Sequence, residues 1–419
     1  MRFHRLVAWL VTLTLCGLSP GVATANPMLH AQSGRVVDGR GSPVLLRCVS
    51  LSPWLIPEGY LAGEGSLAAL ETSPSQFRQR LAAIVGTEKA HVFWRAWERQ
   101  FVVAADFQHL HREGFNCVRL PLTYRSLVGS EAAGRITLDA QGIGPVDDAV
   151  AWGARNGIHV FLDLHDAPGG QNPVPSVSDV PSTDRTSRLW QGPSAPRNQR
   201  TTIELWRALA ARYATARAVG GYDLLNEPML PKSNIGMLGG LYRQIAAAIR
   251  SVDRNHMLVL EGNDYAHDFT SLRDFPDRNV MYEFHEYAIF NRAWRTPNAS
   301  ALAPFLALRA ATGRPLWLGE FGENTLPWQR AMVQLMKAND IGWAVWPWKR
   351  IDLGNGHPVI ETIETPRAWR QISGYLVGRM FARRPAAAAA ERGMADMLEA
   401  IRTRDCRENA ELEQVIAGK

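Results

Sequence analysis

Two glutamates stand at the ends of apolar, strand-like runs: Glu227 in "YDLLNEP" (222–228) and Glu320 in "PLWLGEFG" (315–322). Other runs of the same character carry polar or aromatic residues near their ends. Arg119 lies in "FNCVRLPL", His165 closes "IHVFLDLH", and Asn226 precedes Glu227. His285 and Tyr287 lie in "VMYEFHEY", and Trp346 and Trp348 in "IGWAVWPW". Two carboxylates facing one pocket, with an arginine and histidines beside them, suit hydrolysis of a glycosidic bond. One must be protonated to help the leaving oxygen depart, and the other ionised to attack the anomeric carbon. Arg119 beside one carboxylate would hold it ionised, and that charge with partial burial would raise the pKa of the other. Asn226 is placed to bond a sugar hydroxyl, and Tyr287, Trp346 and Trp348 offer flat apolar faces to sugar rings. Each residue alone has a plainer role as ion-pair partner, satisfied histidine or core tryptophan. The set on one rim is what carries the reading.

That rim needs a scaffold. Eight apolar runs recur at 44–52, 115–122, 158–165, 222–228, 256–263, 280–287, 315–322 and 341–348, with helical patterns between several of them, as at 199–218, 237–252, 302–312 and 327–339. This alternation predicts an α/β fold, a (β/α)8 barrel in which polar residues at the C-terminal strand ends share one pocket. A doubly wound open sheet fits less well, because no glycine-rich phosphate turn follows the first strand. Ahead of the first strand, "RVVDGRGSPVLL" reads as a hairpin able to plug the barrel floor. Two long connections follow strands and so fall on the catalytic face: 53–105, with two helical segments, and the proline-rich 166–198. The expected organisation is a leader at 1–25, a catalytic domain at 26–380 and a helical tail at 381–419 packed on the barrel.

The net charge of +6 does not point to nucleic acid, since the basic residues are scattered and only five of the 46 are lysine. "MRFHR", an apolar stretch and "ATA" before Asn26 form a signal peptide with cleavage after Ala25, so the chain is expected to be secreted or periplasmic. A lipidated Cys16 fits the flanking residues poorly. No later stretch is apolar enough to span a membrane. Of the remaining cysteines, Cys48 and Cys117 sit in apolar runs and are expected to be buried free thiols, with Cys406 as the odd one out. Nothing in the sequence calls for an oligomer, and a monomer is expected.

"GFNCVRLPL", "FLDLHDAPGGQN", "YDLLNEP", "FHEY", "LGEFG" and "WAVWPWK" resemble, in order, the strand-end motifs of glycoside hydrolase family 5. The resemblance implies a retaining mechanism with Glu227 as acid/base and Glu320 as nucleophile, and needs no metal or organic cofactor. It places Arg119, His165, Asn226, His285, Tyr287 and Trp346 on the family's remaining site positions. It also implies a cis bond between Trp346 and Pro347. The stretch "FWRAWERQFVVAADFQHLHREGFNCVRLPL" is similar to the exo-β-1,3-glucanase branch, while the 166–198 loop with Ser178 and Asp179 is closer to bacterial cellulases. The implied substrate is therefore a β-1,3- or β-1,4-linked glucan, as polysaccharide or oligosaccharide. Two other readings remain. A metal-dependent barrel hydrolase would use His165, Asp166, His285 and Glu286, but the chain lacks H-E-x-x-H. A non-catalytic glycan-binding barrel would lose a catalytic glutamate, and both are kept.

Overall fold

The computed structural model describes residues 28–419, so the leader, its cleavage site and Cys16 lie outside the described residues. Eight parallel strands close into one barrel, with neighbours in chain order and the eighth paired to the first. They are β1 (Arg47–Ser50), β2 (Cys117–Thr123), β3 (His159–Asp166), β4 (Val219–Asp223), β5 (Met257–Glu261), β6 (Val280–Glu286), β7 (Leu316–Gly322) and β8 (Gly342–Trp346). Seven fall within or almost within the expected runs. The exception, β4, begins and ends earlier, and "LLNEP" continues past it as irregular chain. Its early residues are Gly220 and Gly221, which weaken any strand pattern read from propensity. They are needed there, because a Cβ on Gly220 would lie 2.6 Å from the Phe161 ring.

The expected helices form at Ala195–Tyr213, Gly236–Arg250, Ala299–Thr312 and Leu326–Ala338. In the first long connection, Pro74–Val85 starts with a capping box between Ser73 and Gln76 and a proline in its first turn. Thr87–Phe101 follows it and buries Phe93, Trp94, Trp97 and Phe101. The link from β5 to β6 departs from the repeat. It holds only the turn Asn263–Ala266 and the 3-10 turn Thr270–Leu272 in place of a full helix.

Inside the barrel, alternate residues of each strand point inward and stack in layers. The lowest layer is apolar, with Cys48, Cys117, Phe161, Met257, Val259, Met281, Trp317 and Ala344 packed against Leu29 and Val36. Leu29 and Val36 belong to the N-terminal segment, whose hairpin pairs His30–Gln32 with Arg35–Val37, slightly earlier than the sequence suggested. Cys48 and Cys117 are paired across β1 and β2 and joined as a disulfide, with Cα atoms 4.5 Å apart. This corrects the expectation of two free thiols. The strand register sets both side chains side by side in the same layer, and Cys406 stays free.

At the C-terminal end, Ala387–Ala400 packs on Arg367–Leu376, and Trp343 of β8 donates its indole N–H to the carbonyl of Ile416, 2.7 Å away. No helix among the described residues is long and apolar enough to cross a membrane.

Candidate active site

One layer above the apolar floor sits a buried polar layer, and the site stands on it. Arg119 of β2 is fully buried, and its guanidinium meets Asp163 at 3.2 Å, Asp223 at 3.0 Å, Glu261 at 3.0 Å and Glu283 at 3.1 Å. It also donates to Asn226 at 2.9 Å and, upward, to Glu320 at 2.6 Å. Gly319 makes room for this layer, since a Cβ there would lie 1.5 Å from a Glu283 oxygen. One cation cannot keep so many dehydrated carboxylates ionised. Burial pushes Asp163 up to about 7 despite Arg119, and raises Asp223, Glu261 and Glu283 as well.

The next layer holds the expected site residues. Glu320 lies two residues before the end of β7, and its two oxygens accept from Arg119 and from the Tyr287 hydroxyl at 2.9 Å. Glu227 follows β4 in a left-handed conformation, φ 43°, a costly one for a side chain that must be held from outside. Glu261 accepts its backbone N–H at 2.6 Å, and Asn172 donates to its carbonyl at 2.9 Å. Burial raises the Glu227 carboxyl above the ordinary range. His285 lies 2.9 Å from a Glu227 oxygen through Nδ1 and 3.2 Å from Glu283 through Nε2. Burial lowers it to about 3, so it is neutral at ordinary pH. Oxygens of Glu227 and Glu320 lie within 4.8 Å of each other.

His165 contacts Asp163 through Nδ1 at 2.8 Å, and burial lowers it to about 4. The Trp346 ring stacks on it, with centroids 5.1 Å apart and planes 7° from parallel, and the Trp346–Pro347 bond is cis. The Trp346 indole N–H donates to the Tyr60 hydroxyl at 2.9 Å. Thus Arg119, His165, Asn226, Glu227, His285, Tyr287, Glu320 and Trp346 meet at one end of the barrel. Trp348 does not. It is fully buried, with the Lys349 ammonium 5.0 Å from its ring, and offers no face to a sugar.

Sequence reasoning missed two residues of the first long connection. Tyr60 braces Trp346, and Glu58 lies 4.0 Å from His165 with Ser52 donating to it at 3.3 Å. Burial, with the charges of Glu320, Glu323 and Glu227, holds Glu58 well above the carboxylate range. It also missed His267, half-buried behind β5. There Nδ1 donates to the Asp264 carbonyl at 2.9 Å and Nε2 faces Glu286 at 3.3 Å.

Among the described residues, three oxygen- and nitrogen-bearing triplets are tight enough to consider as metal sites: Glu227/His285/Glu320, Glu261/Glu283/His285 and Asp163/Asp223/Glu261. The two lower ones share their oxygens with the Arg119 guanidinium, which already supplies the cation at their centre.

The pattern described as Cellulase (glycosyl hydrolase family 5) matches residues 78–351, the span from the first long connection to just past β8. The chain belongs to glycoside hydrolase family 5. A beta-xylosidase from Phanerodontia chrysosporium is 30% identical over 81% of this chain and 74% of its own. Endoglucanase C from Acetivibrio thermocellus is 25% identical over 60% of this chain and 85% of its own. A crystal structure of endogalactoceramidase superposes with a TM-score of 0.54 at 24% identity, covering 78% of this chain and 75% of that one, and shows the shared fold. The family 5 chain is therefore a glycoside hydrolase built on a closed eight-stranded barrel.

Proposed function

We propose that this enzyme is an exported, retaining β-glycoside hydrolase of β-glucan-type poly- or oligosaccharides, working by double displacement. The observation that carries the reading is the pair of glutamates, with oxygens within 4.8 Å and unlike surroundings. A separation of about 5–5.5 Å suits retention, whereas inversion needs about 6.5–9.5 Å to admit a water. Glu320, bonded by two donors, attacks the anomeric carbon while Glu227 gives its proton to the leaving oxygen. Glu227, now a carboxylate, then takes a proton from water, and that water displaces Glu320 from the sugar. Asn226, His165, Tyr287 and Trp346 bind and orient the sugar at the reacting centre, with Arg119 fixing Glu320 from below.

The Cys48–Cys117 disulfide supports export, because such bonds persist in oxidising compartments. In this reading 26–380 is the catalytic domain and 381–419 a brace on it, and the enzyme works as a monomer without metal or organic cofactor.

Glu320→Gln is expected to remove nearly all turnover with the fold intact. Glu227→Gln should still form and accumulate the glycosyl–enzyme on a substrate with a very good leaving group. Proton NMR of the first-formed sugar should show the substrate's own anomer. An inverted first product, or near-normal activity in Glu320→Gln, would refute the mechanism. Laminarin, lichenan, carboxymethyl-cellulose and mannan distinguish the linkage.

A further inference from the structure

The link between the helices Arg367–Leu376 and Ala387–Ala400 holds two apolar side chains out in water. Phe381, 93% exposed, is the most exposed large apolar side chain among the described residues, and Met380 beside it is 77% exposed. The backbone carries Phe381 at φ 64°, in the left-handed region that a bulky residue enters only at a cost. Glycine would take this conformation freely. Burial does not repay that cost, since neither side chain packs in the core.

The link is nevertheless pinned on both sides. The Arg379 amide donates to the Gly374 carbonyl at 2.8 Å, and the Ala382 amide to the Arg379 carbonyl at 3.0 Å. The Arg384 side chain donates to the Ala83 carbonyl of the helix Pro74–Val85. Arg379 lies 3.8 Å from Glu64, in the connection that also carries Tyr60. A fixed turn therefore presents the pair.

The charge around it is of one sign. From Thr365 to Ala390 the chain has five arginines and no aspartate, glutamate or lysine. Three of them, Arg379, Arg383 and Arg384, are exposed and flank Met380 and Phe381 directly. Arg80 lies against Gly378, where a Cβ would come within 2.6 Å of its guanidinium. It donates to the Leu376 carbonyl at 3.0 Å and the Thr72 hydroxyl at 3.1 Å, neither of which cancels its charge.

Apolar tips set among arginines match an anionic lipid surface. Guanidinium groups pair with phosphate oxygens, while phenylalanine and methionine enter the boundary between headgroups and acyl chains. A protein partner fits less well. A stable interface takes about 800 Å² from each side, and two side chains supply a fraction of that. A second copy would also bring the same arginines against these. An acidic glycan would pair with the arginines but offer nothing to the flexible apolar side chain of Met380.

We propose that the 378–384 link docks the protein on the surface of an anionic phospholipid bilayer. Met380 and Phe381 seat at the acyl boundary, and Arg379, Arg383 and Arg384 lie on the lipid phosphates. The chain rests on the membrane and does not cross it. This surface is separate from the catalytic residues, and its role does not depend on the reaction they carry out.

The test is cosedimentation of the purified full chain with vesicles of phosphatidylcholine, with and without phosphatidylglycerol. Each arginine at an anionic surface is worth about fivefold, so the anionic vesicles should bind on the order of 100-fold more tightly, and added salt should weaken them. Arg379→Gln/Arg383→Gln should lose about 25-fold. Phe381→Gly, which also suits the positive φ, should melt no lower than wild type and bind on the order of tenfold more weakly. Met380→Ser, at a residue without that conformation, should weaken binding in the same sense. Equal binding to both vesicle types, or none, overturns the proposal. Anionic binding that Phe381→Gly and Met380→Ser leave unchanged is adsorption by net charge and also overturns it. Retention by soluble polygalacturonate that falls as far in these two variants makes the occupant an acidic glycan instead.

Discussion

Raising the pH from 5 to 7 should destabilise this protein, against the usual behaviour of carboxylate-rich folds. Carboxyls are ordinarily stabilised in the folded state as anions, so stability rises with pH. Here the buried ones behave in the opposite sense. Burial raises Asp163, Glu323 and Glu361 to about 7 each, opposed by Arg119, Arg350 and Lys349 respectively, and it raises Asp223 too. Unfolded, such groups titrate at about 4. Between roughly pH 4.5 and 6.5 the folded chain therefore holds four protons that the unfolded chain has released, and their stabilisation is lost as pH rises through the folded values. Two histidines oppose them. His165 and His285, lowered to about 4 and about 3 by burial, are neutral when folded and protonated when unfolded below about 6.5. These four carboxyls outnumber these two histidines by two, a slope of roughly −3 kcal/mol per pH unit. Glu58, Asp166, Glu261 and Glu283, also raised by burial, add to the same sign, while His159 and His357, also lowered by burial, subtract from it. With an unfolding entropy of about 2.1 cal/mol/K per residue, 1 kcal/mol moves Tm by about 1.2 °C for a chain this long. Scanning calorimetry should therefore show Tm falling by about 3 °C per unit from pH 5 to 7. Glu361→Gln, outside the barrel site, should flatten that slope by one proton's worth. A Tm that is constant or rises across this range would refute the argument.

Replacing both members of the disulfide, Cys48→Ala/Cys117→Ala, should cost about 4 kcal/mol, since the bond closes a separation of 69 residues. Thiol titration of the unreduced, denatured wild type should find Cys406 but neither Cys48 nor Cys117. His267 should set the alkaline limit of activity. Its hydrogen bond to Asp264 and ion pair with Glu286 offset burial and raise it to about 9, and its charge lowers the Glu227 pKa. The carboxylates and histidine around it are Glu286, Glu227, Asp264, Asp268 and His285. His267→Gln should move the alkaline limb of the pH–rate profile upward while His267→Lys restores it. A limb that stays put in both variants dismisses the role.

The sequence told more about the rim than about what lies under it, for physical reasons. Strand ends are legible because an apolar run that stops on a polar residue is unusual wherever it occurs. Glu227, His285 and Glu320 stand out in that way. Asp163 and Glu283 did not, although each lies two residues before a rim histidine and so shares its inward face. Period-two spacing was a usable signal, and reading only the ends of these apolar runs passed over it. Glu58 and Tyr60 carry no such signal, because their places depend on how a long connection folds back over β8. The Cys48–Cys117 bond depends on the register between β1 and β2, which neither run encodes alone. Trp348 was misplaced by counting on past Pro347 as though the strand continued, when Trp346 is its last residue.

The buried acid layer also explains how a neutral histidine can sit between two carboxyls. His285 meets Glu227 through one ring nitrogen and Glu283 through the other. A neutral imidazole has one N–H, so at one of those contacts the carboxyl must be the donor. Glu283 is the carboxyl that can hold its proton permanently. It is fully buried, shares Arg119 with four other acids, and is raised well above the ordinary range. With Glu283 donating to Nε2, the tautomer is fixed and Nδ1–H points at Glu227. That bond favours the Glu227 carboxylate after it has given up its proton, which is the form the second half of the proposed reaction needs. Burial of Glu227 favours the protonated form needed in the first half. The polar layer thus balances the two states of one glutamate, and Arg119 alone could not do so, because its charge is already shared among five carboxyls.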